Sequence, residues 1–149
     1  MNIHSTVGHI LQHKGSQVFS VPPTVSVFDA IKTLAERNVG ALLVMDGDTL
    51  VGIFSERDYT RKIILKGRSS MNTHVGEVVS TPVRTVTPDD TIEDCMKVMT
   101  EHRIRHLPVV NADKVVGVIS IGDLVNWTIS AQKAALEQMQ SYLAGGLGG

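Results

Sequence analysis

A serine followed three residues later by an aspartate closes an apolar segment at two places in this chain. The segments read "VGIFSERD" (51–58) and "VGVISIGD" (116–123). At a strand-to-helix junction this pair predicts a capping box, in which the hydroxyl and the acid each accept a hydrogen bond from the backbone. A helix start also presents unpaired N–H groups and a positive dipole end, which suit a phosphate. The carboxylate could accept hydrogen bonds from both vicinal hydroxyls of a ribose, so a structural and a binding interpretation both stay open.

The two segments belong to a longer internal duplication. An offset of 65 residues superimposes them, with Gly52 on Gly117, and also places Pro23 on Pro88. A weaker match of "TVGHIL" with "HVGEVV" precedes this at an offset of 68 residues. The repeat predicts two copies of one supersecondary unit.

Each copy is predicted to fold as strand, helix, strand, strand, helix. Two short β-rich runs lie around a hairpin turn, "ALLVM" with "LVGIF" in copy one and "LPVVN" with "VVGVIS" in copy two. The helix before them carries an apolar stripe in both copies. The predicted stripes are Phe28, Ile31, Leu34 and Ala35 in copy one, and Ile92, Cys95, Met96 and Met99 in copy two.

Two such units predict an α+β fold with two similar halves. A copy shorter than about 70 residues buries little apolar surface alone, so each small sheet is expected to cover the other. The halves would be related by a pseudo-twofold axis, with two equivalent clefts where they meet. The predicted boundaries are 1–66 for the first domain with its N-terminal helix, 67–74 for a linker, 75–130 for the second domain, and 131–149 for a helix extension and a flexible glycine-rich tail.

Composition narrows the classes of function. The 149 residues carry a net charge of −1, which gives no general attraction to nucleic acid or to an anionic membrane. One Trp, two Tyr and three Phe provide few stacking platforms for bases. Cys95 is the single cysteine, which excludes an intramolecular disulfide and fits a reducing compartment. With no apolar run of about 18 residues and no signal-peptide core, the prediction is a soluble cytoplasmic protein.

The residues suggest neither catalysis nor a metal site. His102 and His106 have the i, i+4 spacing of zinc-binding helices, but no glutamate takes the general-base position. Pro108 also disfavours helical geometry at Leu107. Cys95 lies on an apolar stripe, where a buried thiol is expected rather than a nucleophile. The prediction is a protein that is not an enzyme, without a catalytic cofactor or metal.

Two β-α-β-β-α copies that end in "VGIFSERD" and "VGVISIGD" resemble the tandem cystathionine β-synthase (CBS) domain pair, or Bateman module. The junctions "RNVGALLVMD" and "HRIRHLPVVN" are typical of such domains, and the resemblance runs from Thr6 to the helix after Asp123. It implies a regulatory module that binds an adenosine-containing ligand between the two domains. AMP is the first expectation, with ADP, ATP, NAD(H) or S-adenosylmethionine as alternatives. Such modules commonly pair into disc-like dimers, so the resemblance also implies a homodimer.

The resemblance assigns ligand-binding roles position by position. It implies that Asp58 and Asp123 bind ribose hydroxyls, and that Ser55 and Ser120 lie on the phosphate or ribose side. Residues at the start of each copy and at the helix-to-strand junctions would flank the adenine. The implied ligand-binding residues are Ser20, Val21, Val39, Gly40, Ala41, Leu42, Ser55, Arg57, Asp58, Thr85, Ile104, Arg105, His106, Pro108, Ser120 and Asp123.

The two copies differ in where they carry positive charge. Arg57 precedes the motif aspartate of copy one and Arg61 follows it, whereas copy two has neither. Copy two instead carries Arg103, Arg105 and His106 at its junction. Either the two clefts differ in affinity and ligand preference, or Arg57 and a basic residue of copy two converge on one phosphate.

The sequence therefore predicts a ligand-sensing regulatory module whose target is a separate protein that the residues do not identify. A nucleotide would change its conformation only by binding one arrangement more tightly than another. The long last helix, apolar at helical spacing, is predicted to dock on a partner surface. Two alternatives stay open: a structural dimerisation module with vestigial clefts, and an RNA- or DNA-binding protein.

Overall fold

The computed structural model describes residues 5–79 and 81–148. Its elements follow the predicted order of strands and helices, except that a single parallel bridge between Val86 and Val109 stands where copy two was predicted to open with a strand. The mixed α and β fold class is confirmed. The elements are α1 (Val7–Lys14), β1 (Ser20–Val21), α2 (Val27–Arg37), β2 (Ala41–Asp46), β3 (Thr49–Ser55), α3 (Glu56–Asp58), a π-helical segment (Tyr59–Ile64), a 3-10 turn (Val75–Glu77), α4 (Ile92–His102), β4 (His106–Asn111), β5 (Lys114–Ser120) and α5 (Ile121–Gly148).

The described residues form two compact units that are not contiguous in sequence. The copy-one unit takes its residues from Gln17–Arg84 and Asp113–Val116, and the copy-two unit from Met1–Ser16, Thr85–Ala112 and Gly117–Gly149. Helix α1 therefore belongs to the copy-two unit, and the 3-10 turn belongs to the copy-one unit. This grouping differs from the predicted boundaries at 1–66, 67–74 and 75–130, because the segment that opens each copy packs in the unit of the other copy.

The copy-one unit is built on the sheet β1–β2–β3. Strand β1 runs parallel to β2, and β2 runs antiparallel to β3. Backbone N–H groups of the 3-10 turn attach it to this unit, since Val75 donates to the carbonyl of Val25 at 2.8 Å and Gly76 to that of Pro23 at 3.0 Å. The buried core residues are Val21, Val27, Ala30, Leu34, Leu42, Val44, Phe54, Ile63, Val75 and Val78.

The copy-two unit repeats the parallel pairing of the opening segment at the matching position. Strands β4 and β5 form a two-stranded sheet, and Val86 makes a parallel bridge with Val109. The pair Val21–Val44 occupies the matching positions 65 residues earlier, where β1 meets β2. The duplication read from the sequence is therefore also a duplication of strand pairing.

Two duplicated glycines leave room for the exchanged opening segments. A Cβ at Gly52 would lie 2.7 Å from the Cβ of Val79, and a Cβ at Gly117 would lie 2.7 Å from Cδ2 of Leu11. Both distances are shorter than real carbon contacts. The glycine in "VGIFSERD" and "VGVISIGD" thus permits close packing against the segment that arrives from the other copy.

We expect Gly52→Ala to destabilise the protein more than Gly117→Ala. At Gly52 the new methyl group meets Val79 next to its backbone, whereas at Gly117 it meets the mobile end of Leu11. Overpacking of this kind costs about 1–3 kcal/mol, so Gly52→Ala should fall in that range and Gly117→Ala below it. Urea denaturation measures both free energies of unfolding. Equal losses would contradict the difference in packing.

The apolar stripe of α2 is shifted by one residue from its prediction. Val27, Ala30 and Leu34 are buried, whereas Phe28 is 47% exposed and Ala35 is exposed. The helix is capped at the residue before Val27, so the period that reaches the core starts at Val27 rather than at the bulkier phenylalanine. On α4 three of the four predicted stripe residues are buried, as expected.

Helix α5 continues to Gly148, so the segment predicted as a flexible tail is helical as far as that residue. Extending a formed helix adds a hydrogen bond for each residue that is fixed, which lets it run on through weak formers. Gly149 lies outside the described residues. Across the ranges that the structure describes, no helix combines the length and apolar character needed to cross a membrane.

Candidate functional site

Both Ser-x-x-Asp pairs form capping boxes at the start of the last helix of their copy. The backbone N–H and the hydroxyl of Ser55 donate to Oδ2 of Asp58 at 2.9 and 3.1 Å, and the Asp58 N–H donates to Oγ of Ser55 at 3.3 Å. The Ser120 N–H donates to Oδ2 of Asp123 at 2.8 Å, and the Asp123 N–H donates to Oγ of Ser120 at 3.1 Å. The structural interpretation of the motif is confirmed. It also fixes each carboxylate in one orientation.

A lysine from a distant part of the sequence lies beside the carboxylate of copy two. Nζ of Lys14, at the end of α1, is 2.5 Å from Oδ2 of Asp123 and donates to the Val118 carbonyl at 2.7 Å. The ring of His13 meets the ring of Trp127 edge to face, with 5.0 Å between centroids. Helix α1 is thus anchored on α5 next to the motif.

A lysine also lies beside the carboxylate of copy one, but it comes from the same helix. Nζ of Lys62 is 3.4 Å from Oδ1 of Asp58, four residues earlier, and donates to the Val78 carbonyl at 2.9 Å. The carboxylates keep part of their surface, with 17% of the Asp58 side chain and 21% of the Asp123 side chain exposed. Both units therefore hold a lysine, a carboxylate and a backbone carbonyl together.

The helix-to-strand junctions reach the start of the motif helices in both units. The N–H of Glu56 donates to the carbonyl of Gly40 at 3.2 Å, and the N–H of Ile121 donates to that of Arg105 at 2.8 Å. Ala41 lies directly across the sheet from Ser55. The structure thus brings the predicted junction residues and the predicted motif residues together at one end of each sheet.

The predicted ligand-binding residues fall into three classes of exposure. The exposed residues are Ser20, Thr85 and Arg105. The partly buried residues are Val39, Gly40, Ala41, Ser55, Arg57, Asp58, Ile104, His106, Ser120 and Asp123. The buried residues are Val21, Leu42 and Pro108. The first two classes present surface that a ligand could contact. The buried class presents little.

The side chains of Val21 and Leu42 belong to the hydrophobic core. They are 8% and 1% exposed and pack in the core of the copy-one unit. The Pro108 carbonyl accepts a hydrogen bond from the Val86 N–H at 3.0 Å as part of the strand pairing. Their predicted contact with a ligand stays a prediction, and backbone atoms rather than these buried side chains would make it.

The structure supplies a reason why Cys95 and the two histidines are poor candidates for chemistry. Burial, with Asp90 and Asp94 adding to it, raises the pKa of the Cys95 thiol to about 12, so it is a neutral, unreactive thiol near pH 7. Helix α4 ends at His102, and His106 lies on β4. Over residues 5–79 and 81–148, no three metal-ligating side chains gather into a site.

An open, positively charged groove lies in the copy-one unit. Its volume is about 510 Å³, and it is lined by Lys62, Lys66, Arg68, Glu77, Val78 and Val79. Arg68 and Glu77 form a salt bridge at 3.2 Å, which compensates part of the charge. Lys62 connects this groove to Asp58, but the predicted ligand-binding residues do not line it.

Sequence reasoning did not select Lys14 or Lys62. The i, i+4 spacing of Asp58 and Lys62 is a signal for a helical ion pair and could have found the second lysine. Lys14 gives no such signal, because 109 residues separate it from Asp123 and the two meet only through the packing of α1 in the copy-two unit.

The family model of the CBS domain matches residues 7–65 and 75–130 of this chain. A mitochondrial CBS domain-containing protein of Arabidopsis thaliana is 40% identical over 126 residues, which is 81% of this chain and 61% of the plant protein. A structure of a protein with CBS domains from Burkholderia ambifaria is 48% identical, with a TM-score of 0.82 and coverage of 86% of this chain and 96% of that one. The CBS domain pair of protein MJ0100, solved in complex with 5′-methylthioadenosine and S-adenosyl-L-methionine, is 23% identical, with a TM-score of 0.73 and coverage of 83% and 94%.

Proposed function

Because this chain belongs to the CBS domain family and carries two such domains in tandem, we propose that it is a regulatory module that binds adenosine nucleotides at its two Ser-x-x-Asp motifs. One observation carries the proposal: Asp58 and Asp123 are oriented by the same capping box and stay partly exposed at the same end of each sheet. A fixed, accessible carboxylate suits the two vicinal hydroxyls of a ribose, since charged acceptors form the stronger hydrogen bonds.

The class of ligand is supported by the structural neighbour MJ0100, whose structure contains two adenosine compounds with different 5′ groups. What those compounds share is the adenine and the ribose. For this chain we propose an adenine nucleotide, with AMP first and ADP, ATP or NAD(H) as alternatives. The implied adenine-flanking positions that keep side-chain surface, such as Val39 and Ile104, fit that role.

The test is a thermal-shift panel of AMP, ADP, ATP, NADH and S-adenosylmethionine, with a short RNA as control. A ligand at a hundredfold excess over its Kd adds about 2.7 kcal/mol to the free energy of unfolding, which is readily measured. A flat response to every compound would favour a structural dimerisation module. Stabilisation by the RNA alone would favour the nucleic-acid alternative.

We propose that the module works through a second copy and a separate target rather than through catalysis of its own. Helix α5 presents an exposed apolar stripe at helical spacing, with Ile121, Val125 and Ile129 between 38% and 56% exposed. Such a stripe on one helix face suits a homodimer contact. Light scattering on Val125→Asp and Ile129→Asp variants tests it, and an unchanged mass would contradict it.

The single cysteine supports a reducing compartment such as the cytoplasm, although the plant relative is named mitochondrial.

A further inference from the structure

We propose that Lys14 is the phosphate-binding residue of the Asp123 site, and that it makes this site select adenosine 5′-phosphates over uncharged or cationic adenosine compounds. The selectivity rests on the proposed binding of nucleotides at Asp123. Neither the duplication nor the motif assigns a role to Lys14, because α1 lies outside the Ser-x-x-Asp segment.

The contacts of Lys14 leave it able to donate a hydrogen bond to a ligand oxygen. Its ammonium group donates to Oδ2 of Asp123 and to the carbonyl of Val118, and 34% of the side chain is exposed. An ammonium group has three N–H donors, so these two acceptors within the described chain leave one donor for a further partner. A phosphate beside the ribose would lie within the reach of this flexible side chain.

The charge balance of the pair explains the selectivity. Lys14 and Asp123 form an ion pair of no net charge. A ribose diol is neutral and leaves the carboxylate charged, so this pair persists when Asp123 accepts the two hydroxyls. A 5′-phosphate adds a second anion that the exposed part of the ammonium group can bind, whereas a neutral 5′ group adds none and a sulfonium adds a second positive charge. Lys14 therefore favours ligands that carry an anion within its reach.

The copy-one unit supports a role beyond helix packing. Lys62 makes the same two kinds of contact there, to Asp58 and to the Val78 carbonyl, but it sits four residues after the aspartate. In copy two that position holds Trp127, and α1 supplies the lysine instead. The two units thus place an ammonium group at the motif carboxylate from non-equivalent positions, which fits a shared requirement of the site.

The chain offers a specific optical readout for this site. Trp127 is the only tryptophan, lies one helical turn after Asp123 and contacts His13, the neighbour of Lys14 in sequence. Its fluorescence should respond to ligand at Asp123. An Asp58→Asn background keeps an acceptor oxygen in the other capping box while weakening the other site, so titrations then report on one site.

We would titrate AMP, adenosine and S-adenosylmethionine into the full chain in that background, with and without Lys14→Met. A charge-assisted hydrogen bond contributes enough that AMP should bind about tenfold more tightly than adenosine, and Lys14→Met should remove that advantage. Adenosine affinity should change less than about threefold, since its contacts do not include the ammonium group. Lys14→Arg should keep most of the preference, and Lys133→Met, which removes a lysine from exposed α5, should leave it intact.

The outcomes separate this inference from the proposed function. If AMP and adenosine bind equally well before Lys14 is changed, the inference is wrong while nucleotide binding stands. If Lys14→Met increases the affinity for AMP and for adenosine equally, Lys14 only competes with the ligand for the carboxylate, and the inference is again wrong. If no adenosine compound binds, the proposed function fails and the inference with it. If circular dichroism shows that Lys14→Met is unfolded, the test uses the unchanged chain and Lys14→Arg instead. In both, the ratio of AMP affinity to adenosine affinity must fall as the salt concentration rises, and a ratio that does not change with salt would contradict the inference.

Discussion

Asp123→Ala is expected to lower the affinity of the copy-two site for AMP by about a hundredfold or more. The variant removes a carboxylate that would accept two ribose hydroxyls, and each hydrogen bond to a charged group contributes about 1.5–3 kcal/mol. Since about 1.4 kcal/mol is tenfold in affinity, two such bonds amount to at least that loss. Isothermal titration with AMP measures total binding, and Trp127 fluorescence follows the copy-two site.

Asp94→Ala provides a matched control for the loss of the helix cap. Asp94 forms the same box with Thr91, whose N–H donates to Oδ2 at 2.9 Å and whose Oγ1 accepts the Asp94 N–H at 3.1 Å. The backbone and side-chain hydrogen bonds from Thr91 lower the pKa of Asp94, so this cap is fully formed at pH 7 and is lost only as the pH falls through that lowered value. Asp94→Ala should weaken folding but leave AMP affinity unchanged. If Asp123→Ala behaves in the same way, the motif is only a cap and a structural module is favoured.

The features that the sequence predicted well depend on residues close together in the chain. A capping box joins positions three residues apart, a hairpin joins neighbouring strands, and the helical stripe of α4 repeats within two turns, although the stripe of α2 was placed one residue too late. Because the sequence repeats at an offset of 65 residues, each of these predictions applies to both copies. For this reason the pairing of Ser55 with Asp58, and of Ser120 with Asp123, follows from the spacing of these residues alone.

The features that the sequence missed depend on packing between distant segments. No pattern among neighbouring residues indicates that α1 joins the copy-two unit, and so no such pattern connects Lys14 to Asp123. Packing of the opening segment of the other copy also explains why Gly52 must lack a side chain, a requirement that is visible only when Val79 is seen against it. The burial of Leu42 was not predicted for a related reason, since an apolar residue beside a site and one in the core look alike in sequence.

Leu34→Ala is expected to cost about 2–5 kcal/mol of unfolding free energy, because it leaves a cavity where a leucine is only 2% exposed. Phe28→Ala, on the same helix, should stay within about 0.5 kcal/mol, because its ring is 47% exposed. Guanidinium denaturation of the two variants measures the difference. A larger loss of unfolding free energy for Phe28→Ala than for Leu34→Ala would instead support the stripe predicted from the sequence, in which Phe28 faces the core.

The cost of Leu34→Ala should also reach the copy-one site. The Leu34 carbonyl accepts the N–H of Val39, which starts the junction that leads to Gly40, and the Gly40 carbonyl accepts the first N–H of the motif helix at Glu56. A cavity at Leu34 should therefore weaken the packing of the end of α2, and through these hydrogen bonds also the position of the junction and of the start of the Asp58 helix. AMP binding at Asp58 should weaken in Leu34→Ala and stay normal in Phe28→Ala. Normal binding in both variants would show that the junction holds the motif without support from the core.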